Sequence, residues 1–236
     1  MFVGAGLWKP RSLHIKGESL GHVAFAINYL ASPRAFRLGE RVIVIGSGNS
    51  AMDCARTAIR QGARYLTVFN RRDKIAASQY EASYASLEGV NFEMMKSPVE
   101  ICDKGVVFAD NEFDEEGKLH QIPGSEKLYP CTGVIVAVSQ ELGSSIMHST
   151  ENIGTQPSGL LIADEDGRTS RPGVFAAGDI AHGARTVVEA VANGKRVAET
   201  MHAYMQALPM PEPSAYADVP VVEPLNSSVL AEQIIH

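Results

Sequence analysis

Gly46-Ser47-Gly48-Asn49-Ser50-Ala51 follows a β-branched run, and two adjacent arginines, Arg71 and Arg72, follow the next apolar run. These are the tools of anion binding. A glycine at 46 permits a tight turn off residues 42–45, and a glycine at 48 lets backbone approach a ligand closely. A helix beginning near Asn49 then aims free N–H groups at the same place, which suits a pyrophosphate. The G-x-G-x-x-G/A pattern alone is weak, but here it follows an expected strand and opens an expected helix, the context a dinucleotide fingerprint requires. The competing reading is a structural βαβ crossover that holds no ligand.

The residue after the second strand, residues 65–69, decides which dinucleotide is favoured. A site for an unphosphorylated ribose has Asp or Glu there, accepting from the 2′-hydroxyl. This chain has Asn70, Arg71 and Arg72. A guanidinium offers fixed donors to a 2′-phosphate, and a charge-assisted hydrogen bond contributes about 1.5–3 kcal/mol. One arginine therefore favours NADPH over NADH by roughly ten- to a hundred-fold. A solvated basic turn is the alternative.

Around these residues the chain reads as a series of α/β elements. Ala51, Ala55, Ala58 and Ile59 form one helical stripe, and Gly62 supplies its stop. Residues 74–87 read as a second helix starting near Ala77 and Ser78, and 90–94 as a third strand. From 98 to 131 short apolar runs alternate with turns, among them Asp114-Glu115-Glu116-Gly117, which predicts an antiparallel meander with an exposed acidic hairpin rather than a metal cluster. Residues 132–139 (TGVIVAVS) are then a buried parallel strand.

A second constellation begins where residues 174–177 run into Gly178-Asp179. A loop with Gly183 follows, then a long helix carrying Val187, Val191, Ala198, Met201 and Met205 at three- and four-residue steps. Asp179 either faces a ligand at the C-terminal end of a strand or caps a turn.

Composition sets the outer bounds. The 236 residues, 45% hydrophobic, fill one large or two small domains. A net charge of −6 argues against broad nucleic-acid binding. No apolar run reaches the ~18 residues of a membrane helix, and there is no secretory signal, so a reducing cytoplasm is expected. Cys54, Cys102 and Cys131 have neither C-x-x-C nor metal spacing and read as packed or surface thiols. No Tyr-x-x-x-Lys pair follows the fingerprint, which disfavours a flavin-free alcohol dehydrogenase.

Residues 46–56 with Asn70-Arg71-Arg72-Asp73, residues 172–179 and residues 186–195 together resemble the flavin-dependent pyridine nucleotide oxidoreductases, in the branch of the glutamate synthase small (beta) subunit. The NADPH- and FAD-binding part of dihydropyrimidine dehydrogenase is similar, and residues 3–18 share the resemblance. It implies that Gly46, Gly48, Asn49 and Ser50 cradle the NADPH pyrophosphate, with Asn70, Arg71 and Arg72 at the 2′-phosphate end. It also implies that Gly178 and Asp179 form the second FAD motif, and that Thr186, Val187 and Val188 start a helix facing the flavin pyrimidine ring. Hydride transfer from nicotinamide to flavin needs no side-chain acid or base, so no residue is assigned as catalytic.

The departures matter too. The glycine fingerprint that grips the ADP half of FAD is not found, and Gly4-Ala5-Gly6 lacks both the third position and a following helix. Cysteine ligands for iron–sulfur clusters are missing as well. Ser47 and Ser139 stand where relatives have glycine, and Ser47 is expected to crowd its turn.

The expected fold class is α/β: a Rossmann-like three-layer NADPH domain of helices, parallel sheet and antiparallel meander, plus a partial FAD-type domain. The expected division is 1–36, remnant of the FAD-type domain and hinge; 37–140, NAD(P)H-binding domain; 141–206, C-terminal part of the FAD-type domain; and 207–236, a Pro-rich tail whose residues 229–235 form a docking helix or a disordered end. The expected function is an NADPH-dependent oxidoreductase component that passes hydride to FAD and on to a partner such as a glutamate synthase large subunit. The alternative is a truncated or regulatory NADPH-binding module that holds no FAD and is inactive alone. Apolar surface at residues 2–5 and on the long helix favours a partner subunit, a missing first FAD segment or a homo-oligomer. No nucleic acid or membrane is expected.

Overall fold

In the computed structural model of the chain, residues 1–142 and 153–209 are described. The expectations for 143–152 and for the tail beyond 209, including residues 229–235, lie outside the described residues. In chain order the first elements are β1 (Phe2–Val3), β2 (Lys9–Pro10), β3 (Val23–Phe25), α1 (Ala26–Ala31), β4 (Arg41–Ile45) and α2 (Asn49–Arg60). Next come β5 (Tyr65–Phe69), α3 (Gln79–Leu87), β6 (Asn91–Glu93), β7 (Lys96–Cys102), β8 (Gly105–Phe113), β9 (Leu119–Gln121) and β10 (Lys127–Pro130). The last are β11 (Gly133–Val136), β12 (Gln140–Glu141), β13 (Phe175–Ala176), α4 (Asp179–His182) and α5 (Val187–Ala207).

Three layers follow from period-two alternation in buried strands. Strands β3, β11, β4, β5 and β6 form a parallel sheet in that spatial order. On one face Val42, Val44, Leu66, Val68 and Ile135 pack under α1, α2 and α3. On the other face Ile43, Ile45, Phe69, Val134 and Val136 meet Ile101, Val106 and Phe108 of the antiparallel sheet β7, β8, β10, with β9 also paired to β8. Phe69 stacks on Phe108 with centroids 3.9 Å apart, bonding the two sheets directly above the end of β5.

Strand β3 pairs in parallel with β11 at the edge of this sheet. The apolar Val23–Phe25 run buries itself there, so residues on either side of position 36 share one sheet. Strands β2 and β12 pair as an antiparallel ribbon, and Lys9 bonds Glu141 at 2.6 Å. A smaller unit is built on β1 paired in parallel with β13, which packs against α4 and α5.

Helix α2 shows why its ends fall where they do. Gly62, at φ +107°, lets its own N–H reach the carbonyl of Ile59 and that of Ala63 reach the carbonyl of Ala58, a Schellman closure. Helix α3 starts at Gln79, capped by Ser78, so residues 74–77 are loop rather than helix. The apolar residues expected at three- and four-residue steps on α5 do not all face one way. Val197 is buried and Met201 and Tyr204 pack beside it against Phe175 and Ala177, whereas Val187, Val191 and Met205 are exposed. No helix among the described residues is long and apolar enough to cross a membrane.

Candidate functional site

The turn from β4 into α2 is held by geometry that only glycine satisfies. Gly46 has φ +115°, and a Cβ there would stand 2.3 Å from the Ala137 carbonyl oxygen of β11's exit. Gly48 differs: its φ is −77°, and an added Cβ meets nothing within 4 Å. The space in front of it is open to a ligand. No side chain caps α2, and with the Ala51 N–H already bonded to the Gly48 carbonyl, the N–H groups of Asn49 and Ser50 have no acceptor among the described residues and are left for an external one.

A cavity of about 600 Å³ lies at this turn, lined by Gly46, Gly48, Asn70, Arg71 and Arg72. The structure thus brings together five of the sequence-predicted residues. Asn49 and Ser50 sit in the adjoining first turn of α2 and do not line it. The Asn49 side chain is committed elsewhere: its Oδ1 accepts from the Ser78 N–H at 2.9 Å, joining the starts of α2 and α3. Asn70 donates its amide to the carbonyls of Arg72 (3.2 Å) and Lys74 (2.7 Å), leaving only its Oδ1 for a ligand. Arg71 and Arg72 are exposed, and neither is paired with a carboxylate among the described residues.

Ser47 does not crowd the turn as expected. It is 4% exposed, and its carbonyl and hydroxyl accept the N–H groups of Ala77 (2.7 Å) and Ala76 (3.2 Å). The serine folds the arginine-bearing loop back onto the glycine turn.

Sequence reasoning missed two cations of the lining, Arg11 and Lys96. Neither has a local signal, since Arg11 comes from the hinge segment and Lys96 from the antiparallel sheet. Lys96 is bonded to Asp110, and that bond holds its ammonium above the usual lysine range. Ser139 also lines the cavity and carries φ +83°, a left-handed conformation that glycine would adopt without strain. Arg11, Arg71, Arg72 and the Asp110-bonded Lys96 thus share one cavity, a concentration of positive charge on a net-negative chain.

The second constellation opens a cavity of about 570 Å³ lined by Gly178, Asp179, Arg185 and Glu189. Gly178 is at φ +75°, and a Cβ there would meet nothing within 4 Å. Asp179 accepts from the Arg185 N–H through Oδ1 at 3.2 Å, and no bond to its other oxygen is found among the described residues. Thr186, Val187 and Val188 do not line this cavity. Thr186 closes a capping box with Glu189, whose carboxyl is held below its usual range by the Thr186 hydroxyl and N–H. Val187 and Val188 are 79% and 78% exposed, a bare apolar patch at the start of α5.

No group of three His, Cys, Asp or Glu that could hold a metal ion is found among the described residues. Cys54 and Cys131 are buried and unbridged, and burial pushes their thiols up to about 12 and about 11. Thiols so protonated are poor nucleophiles.

The profile of the pyridine nucleotide-disulphide oxidoreductase family matches residues 2–194. A curated relative, the NADP(+)-dependent formate dehydrogenase subunit beta of Moorella thermoacetica, is 34% identical over 87% of the chain and 32% of its own length. The glutamate synthase [NADPH] small chain of Azospirillum brasilense is 33% identical over 88% of the chain and 49% of its own length. The chain thus spans a third to a half of these relatives. Among solved structures, T. acidophilum thioredoxin reductase superposes with a TM-score of 0.71 at 22% identity, covering 87% of this chain and 66% of that one, a likeness of fold.

Proposed function

The chain belongs to the pyridine nucleotide-disulphide oxidoreductase family, and from that premise we propose that it is the NADPH-binding part of an electron-transfer flavoprotein of the glutamate synthase small-chain type. The observation that carries this reading is the cavity where Gly46 and Gly48 meet the guanidinium groups of Arg71 and Arg72, which have no carboxylate partner among the described residues. The open space at Gly48 admits the pyrophosphate, to which the N–H groups of Asn49 and Ser50 donate, and the arginines donate to the 2′-phosphate.

Gly178 and Asp179 supply the contact to FAD, the aspartate through its other oxygen to a sugar-side hydroxyl and the glycine through the room it leaves. When bound, NADPH supplies a hydride that FAD accepts. The protein's own residues orient the two groups, and none donates or takes a proton. The named relatives are a subunit beta and a small chain, which supports a partner subunit as the destination of the electrons.

Anaerobic addition of NADPH to the chain supplied with FAD tests the reading. Bound flavin absorbing near ~450 nm that bleaches on addition supports it. Tight NADPH binding by a protein that takes up no FAD replaces it with a nucleotide-binding module inactive by itself.

A further inference from the structure

Four polar residues are buried among the described residues, Ser47, Asn70, Asn111 and Thr200, and the first three spend hydrogen bonds on one loop. That loop, 71–77, carries both guanidinium groups of the cavity. Ser47 and Asn70 reach it from the ends of the parallel strands β4 and β5. Asn111 reaches it from β8 of the other sheet. Its Nδ2 donates to the Arg71 carbonyl at 2.8 Å and to the Ser97 hydroxyl at 2.9 Å. Its backbone N–H donates to the Met95 carbonyl at 2.8 Å, and the Met95 N–H continues to the Arg72 carbonyl at 3.3 Å.

The Asn111 Oδ1 is buried with no partner. Turning the amide over does not relieve it, because the oxygen would then face the Arg71 carbonyl. A leucine of similar shape would fill the position without an uncompensated acceptor. What asparagine adds is the pair of donors, and one of them fixes the backbone of the first arginine.

We propose that Asn111 is the positioning residue that sets coenzyme choice: its amide clamps the Arg71 carbonyl, and so holds the Arg71 guanidinium where a 2′-phosphate is told apart from a 2′-hydroxyl. This rests on the NADPH reading of the cavity. A guanidinium on a loose loop must be ordered when it meets phosphate, whereas on a clamped loop that ordering is already done. A dinucleotide without the 2′-phosphate makes no demand on the arginine, so loss of the clamp weakens the phosphorylated coenzyme selectively.

Titration of the full chain with NADPH and with NADH, for wild type, Asn111→Leu and Asn111→Ser, tests the clamp, with circular dichroism melting as the fold control. Expected is a loss of roughly tenfold in NADPH affinity in both variants, with NADH held within about twofold. Equal weakening of the two coenzymes, or an unchanged ratio between them, overturns the clamp. If the leucine variant does not fold, the serine variant carries the reading, and failure of both to fold makes Asn111 a folding residue and also overturns it. A wild type that binds the two coenzymes alike removes the NADPH reading and the clamp together, an outcome distinct from an intact wild-type preference that survives in the variants.

Discussion

Gly46 and Gly48 are two residues apart in one turn, yet they answer to different constraints. Gly46→Ala forces a Cβ to 2.3 Å from the Ala137 carbonyl oxygen at φ +115°, so it should destabilise the fold by at least about 2 kcal/mol, measurable as a lowered urea midpoint. Gly48→Ala meets nothing, so its midpoint should stay within about 0.5 kcal/mol of wild type while coenzyme binding is lost, because the new methyl occupies the pyrophosphate's approach. Arg71→Ala should weaken NADPH roughly tenfold and leave NADH nearly unchanged in a fluorescence titration; equal losses would contradict a phosphate contact. The glycines and arginines were legible because their order along the chain matches their order in space. Ser47 was misjudged as a crowding residue, since its hydroxyl meets the N–H of Ala76, a contact made only when the loop folds back. Lys96 and Arg11 were invisible for the same reason: nothing in their neighbourhoods along the chain marks the cavity they share.

Helix boundaries were read well where a side chain or a glycine enforces them. Ser78 accepts from the Glu81 N–H at 3.3 Å, so Ser78→Ala should cost about 1 kcal/mol and lower the melting temperature without touching the cavity. Arg56 bonds Glu88 at 2.9 Å and Glu81 at 3.0 Å, tying α2 to α3, so the packing of the helical layer partly survives that change. The orientation of α5 was not legible. Apolar residues occupy both of its faces, and the contact of Tyr204 with Phe175, ring centroids 5.5 Å apart, selects the stripe through Val197. Which stripe a helix buries is decided by its partner, and here the partner is a two-stranded sheet pairing Phe2 with Phe175 and Val3 with Ala176, segments far apart in the sequence.

The layered architecture places three ionisable groups in apolar surroundings, and that gives the whole molecule a pH response. Burial pushes Cys54 up to about 12 and Cys131 up to about 11 from an ordinary 9.0, and Tyr29 up to about 12 from 10.0. The unfolded chain therefore ionises first. Stability is fully present below about pH 9 and falls above it, each group removing at most about 1.4 kcal/mol per pH unit until its folded value is passed. Urea midpoints taken from pH 8 to 11 should show a plateau and then a decline of that sign. The three-layer arrangement itself was legible, since fully apolar strands must be covered on both faces and the stretch 98–131 changes to short runs with turns.

Calorimetric titration of the folded wild-type chain with NADPH and NADH in parallel reaches the central claim most directly. Tighter binding of NADPH by roughly ten- to a hundred-fold is the predicted result. Equal affinities, or no heat from either coenzyme, would contradict a cavity in which a glycine turn and paired arginines hold a phosphorylated adenosine.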